Sequence, residues 1–327
     1  MTPVIGIVVI GRNEGERLLR CLASVSGAAA VVYVDSASSD GSAEAAAARG
    51  AFVERLSPDR PFTAARARNA GVRRLRADVP GVELVHFVDG DCEIVPGWLA
   101  EAVAFLRENP GYAAACGRRR ERHPEQSIYN RLTDIEWDTA IGDATDTGGD
   151  AIYRIDALER VGGFRDDLIA GEEPELGLRL RRAGYRIRRL DREMTLHDSN
   201  LTHFAQWWAR QVRAGHACAE AAALHGRGPE RFFVRRLASN CFWGLALPAL
   251  TLAGFTLSAY AGFAAIAVYG LFWWRVASHA HNAPERGWYA LGILLGKFAG
   301  ARGAWLYAWS TLSRRRTSLI EPREVAR

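Results

Sequence analysis

The 327-residue chain contains no C-x-x-C pair, and its five cysteines, Cys21, Cys92, Cys116, Cys218 and Cys241, are odd in number and scattered. Such usage fits a reducing compartment and argues against both a disulfide framework and a structural zinc site. Export by a classical signal is not expected either. The apolar run at 4–10 is too short for a signal core, has no basic residue before it and runs straight into Arg12-Asn13-Glu14. There is no internal repeat, and the alanine-rich stretch at 43–48 is a plain helix former. One absence of charge matters most: residues 241–274 hold no Asp, Glu, Lys or Arg across 34 positions. That run exceeds the roughly 20 apolar residues needed to cross a bilayer.

Elsewhere the composition is that of a folded protein, 49% apolar and 24% charged, long enough for one large domain and something smaller. A net charge of +5 is compatible with nucleic acid, an anionic membrane or a phosphorylated substrate. The arginines gather beside the uncharged segment and at 118–122, so nucleic acid is the least supported of the three.

Strands and helices alternate from the start. Val4-Ile5-Gly6-Ile7-Val8-Val9-Ile10 reads as a strand buried on both faces, and a helix follows with Leu18, Leu19, Leu22 and Val25 inward. Residues 31–34 form a second strand ending at Asp35, and the hydroxyls and acids of Ser36-Ala37-Ser38-Ser39-Asp40-Gly41-Ser42 can cap the next helix. A short strand at 51–54, a helix at 63–76 and the strand Leu84-Val85-His86-Phe87-Val88 continue the pattern. It predicts an α/β fold with a mostly parallel, doubly wound sheet whose ligand lies beyond the carboxyl ends of the strands. Asp35, Asp89 and Asp91 then share one crevice.

Asp89-Gly90-Asp91 reads either as a loop-forming turn or as oxygen ligands for a hard divalent cation beside a phosphate. Gly148-Gly149 permits close approach of backbone to a ligand, or is a turn. Glu172-Glu173 begins a helix that ends in arginines, which dipole matching explains; two acids aimed into a crevice would also supply a general base. His197, taken by itself, is more often structural than ligating. Trp207 and Trp208 lie on a helix predicted over 201–224, where packing and an acceptor-lining role are both open. Residues 241–274 predict a kinked span or a tight hairpin in or on a membrane, and residues 288–312 an interfacial amphipathic helix. Arg231, Arg235 and Arg236 on one side and Arg314, Arg315 and Arg316 on the other keep both flanks cytoplasmic. The division expected is a domain over 1–230 and a membrane-associated helical region over 231–327.

In their order and spacing, these pieces resemble the family 2 glycosyltransferases of bacterial type, which have the GT-A (nucleotide-diphospho-sugar transferase, Rossmann-like) fold. The resemblance covers about residues 4–200. It is carried by the 9–14 strand end, Asp35-x-x-Ser38-x-Asp40-Gly41-Ser42, Ala67-Arg68-Asn69-x-Gly71, Asp89-Gly90-Asp91, Gly148-Gly149, Gly162-Gly163-Phe164, Glu172-Glu173, and Arg179-Leu180 through Gly184-Tyr185. It implies a donor site formed by Asp35 on the base with Ser38 beside it, Arg68 on the nucleotide side, Asp89 on the ribose or metal, Gly149 and Glu172. Asp91 and His197 would hold Mg2+ or Mn2+ against the donor diphosphate, and Glu173 would be the base. Glu173 stands where the family usually has Asp. The implied activity is metal-dependent, inverting transfer of a sugar, of hexosyltransferase type, from a nucleotide-diphosphate sugar, a UDP-sugar being favoured. The acceptor would be lipid-linked or a glycan at the cytoplasmic face of the inner (cell) membrane, as in cell-envelope glycan synthesis. A Gln-x-x-Arg-Trp motif of processive synthases is absent, which favours single transfer. Two other readings are a sugar-nucleotide-binding protein with a degenerate site and a sugar-phosphate nucleotidyltransferase. The latter would want a lysine-containing glycine loop where this chain has Gly11-Arg12-Asn13-Glu14-Gly15.

Overall fold

The computed structural model describes residues 4–280 and 285–313, so Arg314, Arg315 and Arg316 lie outside the described residues. Two compact units divide the chain: Met1–His123 with Glu136–Ser199, and Pro124–Ile135 with Asn200–Arg327. The sequence placed its boundary later, after residue 230. Residues 200–230 instead fold with the apolar helices, because their helix offers glycine and alanine positions on which another helix can seat.

The first unit is built on a nine-stranded sheet. Its strands are β1 (Val4–Gly11), β2 (Ala30–Asp35), β3 (Phe52–Arg55), β4 (Val82–Asp89), β5 (Cys92–Ile94), β6 (Tyr112–Glu121), β7 (Gly142–Ala144), β8 (Ala151–Arg154) and β9 (Arg186–His197). The order is β3-β2-β1-β4-β8-β6-β9-β5, with β7 also on β9. From β3 to β4 all neighbours are parallel, as the strand and helix alternation predicts. Past β4 the antiparallel β8 enters, and β6 and β9 run parallel to each other beyond it. β8 was not legible as a strand: four residues after a glycine pair leave no room for a period.

Helices α1 (Glu16–Ser24), α2 (Ser42–Ala48), α3 (Ala64–Asp78), α4 (Trp98–Glu108), α6 (Ile155–Arg160) and α7 (Glu172–Arg182) pack against this sheet or along its edges. β1 lies at the centre of the core, with Ile7, Val8 and Val9 fully buried. Two glycines let α3 come close: a Cβ at Gly6 would stand 2.6 Å from Leu75, and one at Gly71 would lie inside the Val8 side chain. His86 on β4 is a fully buried core histidine. It accepts the Trp98 indole N–H at 2.9 Å, and burial lowers its pKa to about 4.

The second unit is helical. α5 (Ile128–Glu136) begins in it, followed by α8 (Phe204–His225), α9 (Val234–Cys241), α10 (Leu247–Leu257), α11 (Ala259–His279) and α12 (Arg286–Leu312). A wide π turn over Phe242–Ala246 joins α9 to α10, just before Pro248, whose missing N–H cannot bond the carbonyl one turn earlier. At Ser258 the backbone is extended (φ −165°) and its hydroxyl caps α11. The chain there folds back: Gly254 meets Ala261, and the Tyr269 hydroxyl donates to the Trp243 carbonyl at 3.0 Å. Of the two arrangements open in the sequence, the hairpin is the one adopted. Its two helices, Val234–Leu257 and Ala259–His279, are each long and apolar enough to cross a membrane. They leave Leu250, Leu252, Leu257, Tyr260, Phe263 and Trp274 exposed. α12 buries a face of small residues, Ala290, Ala299, Gly300, Ala301, Gly303 and Ala304, with Gly215 of α8 set against Gly300. Trp288, Trp305 and Trp309 remain outside. Trp207 is buried against Tyr129 and Phe204, which is packing.

Because Gly71 has no room for a Cβ, Gly71→Ala is expected to destabilise the protein by ~1–3 kcal/mol through overpacking. A lowered denaturant midpoint at unchanged slope would report it.

Candidate active site

The parallel strands set the site's baseline. Asp35 pairs with Gly11, and Asp89 with Ile10, so both acids stand at the carboxyl ends of strands flanking β1, about 10 Å apart by strand spacing. Asp35 is buried and accepts from the Tyr33 hydroxyl at 3.2 Å and the Ser38 N–H at 3.1 Å. Ser38 Oγ in turn accepts the Asn13 N–H at 3.0 Å, and Asn13 accepts the Ser39 N–H at 2.8 Å. Loops after β1 and β2 are thereby knitted into one rim.

Arg68, on α3, is the hub of a second cluster and is itself buried. Its guanidinium reaches Asp89 at 3.1 Å, Glu172 at 2.8 Å and Glu173 at 2.9 Å. Glu172 and Glu173 arrive from the first turn of α7, where Gly171 in the left-handed region (φ 78°) redirects the chain. Burial, then the adjacent Glu172, raises the Glu173 pKa to about 7, with Arg68 opposing. A carboxylate so poised exchanges a proton near neutral pH. Asp89 is held from its other side by Arg119 at 3.3 Å, and Arg119 also reaches the fully buried Asp150 at 2.8 Å. Asp150 accepts the Asp89 N–H at 3.0 Å and the Thr195 hydroxyl at 2.7 Å. Burial pushes the Asp150 pKa up, but Arg119, Thr195 and that amide outweigh it and hold it at about 2. Four carboxylates, Asp89, Asp150, Glu172 and Glu173, thus face two guanidiniums, a formal excess of negative charge.

Asp91 and His197 form a third group. Past β4 the chain turns into β5, where Cys92 pairs with His197 of β9, and β6 brings Glu121 against His197 from the other edge. His197 Nε2 lies 3.2 Å from Asp91 Oδ2 and Nδ1 lies 3.8 Å from Glu121 Oε2. Ligand atoms of Asp91, Cys92 and His197 all fall within 4.8 Å of one another. Burial pushes the Cys92 thiol well above its usual range, so it stays a neutral S–H donor to Asp91. A carboxylate oxygen and an imidazole nitrogen remain, of which the carboxylate is the donor suited to Mg2+ or Mn2+. Trp137 closes this side, 5.4 Å from Arg119 and edge-on to His197 at 4.7 Å.

Of the residues singled out in the sequence, Arg68, Asp89, Glu172 and Glu173 are joined directly, Asp91 joins His197, and Asp35 joins Ser38. Gly149 (φ 129°) is joined to the first group through Arg119, whose guanidinium occupies the place a Cβ would take. Arg119, Asp150, Glu121 and Trp137 were not anticipated. The signal for Asp150 was its position directly after the glycine pair. Arg119 and Glu121 were hidden because β6 runs on through charged residues after its apolar start.

Residues 6–162 match the family model described as Glycosyl transferase family 2. Among solved structures, the chain is similar to the mannosyltransferase PcManGT from Pyrobaculum calidifontis in complex with GDP-Man and Mn2+. The TM-score is 0.59 and the identity 20%, over 95% of this chain and 88% of that one. It is also similar to S. aureus TarS 1-349, with a TM-score of 0.52 and 14% identity over 93% and 92% of the two chains. No curated protein matches the chain by sequence. At these identities the structural likeness speaks to the fold alone, which is that of the GT-A glycosyltransferases. Asp89 and Asp91 fall within the matched span; Glu173 and His197 lie beyond it.

Asp150 binds its proton less readily folded (about 2) than unfolded (about 3.9), so its contribution to stability is present above about pH 4 and lost as pH falls through 2. Asp150→Asn is expected to cost ~2 kcal/mol at pH 7, with the gap to wild type narrowing towards pH 2. Urea unfolding across that range measures it.

Proposed function

We propose that the protein transfers one sugar, with inversion, from a nucleotide-diphosphate sugar to a hydroxyl of a lipid-linked or glycan acceptor at a membrane surface. The observation that carries this reading is the three-way ion pair of Arg68, which ties the strand-end acid Asp89 to Glu172 and to Glu173. One arginine thus couples the ribose side of a donor site to a carboxylate that titrates near neutral pH.

Asp35 accepts an N–H of the base, with Ser38 beside it. Uracil and guanine both offer an imide-type N–H, so Asp35 accommodates either, and the favoured UDP donor rests on the family resemblance. Asp89 takes the ribose, Gly149 leaves room for the Arg119 guanidinium that holds Asp89, and Glu172 shares the Arg68 guanidinium. Asp91 and His197 are the residues that would hold Mg2+ or Mn2+, which when bound neutralises the donor diphosphate. Glu173 removes the proton from the acceptor hydroxyl as that oxygen bonds to the anomeric carbon. The bond from that carbon to the phosphate oxygen breaks, and the nucleoside diphosphate leaves. With the acceptor attacking opposite the leaving group, a single displacement inverts the centre.

The apolar hairpin supports a membrane location. Arg231, Arg235 and Arg236 at the start of its outgoing helix and Arg275 near the end of its returning one lie at the same end, while residues 241–274 carry no charge. A hairpin crossing the bilayer twice keeps that basic end on the cytoplasmic side.

Purified protein given UDP- and GDP-sugars with Mn2+ or Mg2+ is expected to release nucleoside diphosphate, and a chelator to stop it. Asp91→Ala should abolish the metal dependence together with the activity, and Glu173→Gln should lower kcat ~10²- to 10⁴-fold. Full activity in Asp91→Ala, or no donor turnover with either metal, contradicts the reading.

A further inference from the structure

Two features of the first unit have no part in the transfer chemistry above: Asn69, next to Arg68 on α3, and Gly163-Phe164, in the loop that leads into α7. They meet each other. Asn69 Nδ2 donates to the Phe164 carbonyl at 2.7 Å and to the Asp166 carboxylate at 2.7 Å, and Asn69 Oδ1 accepts the Phe164 N–H at 3.0 Å. Nearly two turns earlier, the N-cap of α3, Thr63, donates its hydroxyl to the Asp166 carbonyl at 2.9 Å. Gly163 makes room for the contact: its φ is +70°, and a Cβ there would stand 2.7 Å from Asn69 Oδ1.

The Phe164 ring carries the connection inward. It is buried, edge-on to Phe87 at 5.3 Å and to Tyr153 at 6.1 Å, and the Arg68 guanidinium lies over it at 5.5 Å. A ring fixed from behind by two core aromatics gives that cation a rigid floor, which matters because a free arginine has many rotamers. The same loop ends at Gly171, one residue before Glu172. The Asn69 hydrogen bonds therefore set both halves of the ion cluster, the floor under Arg68 and the chain that delivers the two acids.

We propose that Asn69, with Gly163 and Phe164, is a positioning clasp that fixes Arg68 and, through it, the Glu172-Glu173 pair for transfer. This rests on the reading of Glu173 as base. Asp89 keeps its Arg119 contact and its place at the end of β4 when the clasp is lost, so the effect falls on the chemical step more than on donor binding.

Full-length wild type, Asn69→Ala, Asp166→Ala and Asp166→Asn are compared by kinetics, by hydrogen exchange and by thermal unfolding. Asn69→Ala should lower kcat ~10- to 100-fold, as a small misplacement of a reacting group does, with the donor KM within about threefold of wild type. Exchange should speed up both in residues 161–166 and in the first turn of α7. Asp166→Asn keeps an acceptor for Asn69 and should stay near wild type; Asp166→Ala, a milder lesion, should lie between and serves where Asn69→Ala does not fold. Faster exchange confined to 161–166, or a kcat unchanged in Asn69→Ala, overturns the clasp. Should wild type transfer no sugar at all, the functional reading fails, and exchange at the start of α7 still decides the clasp.

Discussion

One buried guanidinium holds the first unit's chemistry together. Arg68 is sealed from water between α3, the end of β4 and the start of α7, and it is bonded to three carboxylates. A charge in that position is tolerated only if it is paired, and removing the cation would leave three acids crowded without compensation. Burial, and then the neighbouring Glu172, raise the Glu173 pKa further than the shared Arg68 cation lowers it. The cluster is therefore a source of reactivity as much as of cohesion, and the loop between α6 and α7 is fastened accordingly.

A second cluster, around Arg119 and Asp150, steadies the first. Asp150 is fully buried and bonded to Arg119, to Thr195 and to the Asp89 backbone, so the orientation of Asp89 is fixed from the sheet side. Asp91, two residues further along, faces the other way, towards His197 and Glu121. The turn through Gly90 divides the labour of the two acids, since side chains diverge where a strand gives way to a loop. In the second unit, polar restraint is replaced by shape: glycine and alanine faces on α8 and α12 let helices approach closely, and large apolar side chains point away from them.

Much of this was legible in the residues. The parallel half of the sheet follows from continuous β-branched runs separated by helix-forming segments, and Asp35, Asp89 and Asp91 could be placed because each ends such a run. Other parts were not. β8 is too short to show a period, and the polar half of β6, Arg118 to Glu121, looks like loop because its charges are neutralised by partners distant in sequence. Arg119 finds Asp150 and Asp89, and Glu121 finds His197; none of these pairings is written in local sequence. The early boundary of the second unit was hidden for a related reason. The helix from Phe204 is polar enough to pass for part of a soluble domain, and only its small residues, met by those of α12, disclose where it packs.

The pH dependence of kcat/KM with saturating metal tests the role given to Glu173 most directly. An acid limb with an apparent pKa near 7 is expected in wild type, since the base acts only when deprotonated, and the limb should be absent from the residual activity of Glu173→Gln. A limb in the ordinary carboxylate range, or one that survives unchanged in Glu173→Gln, would contradict it.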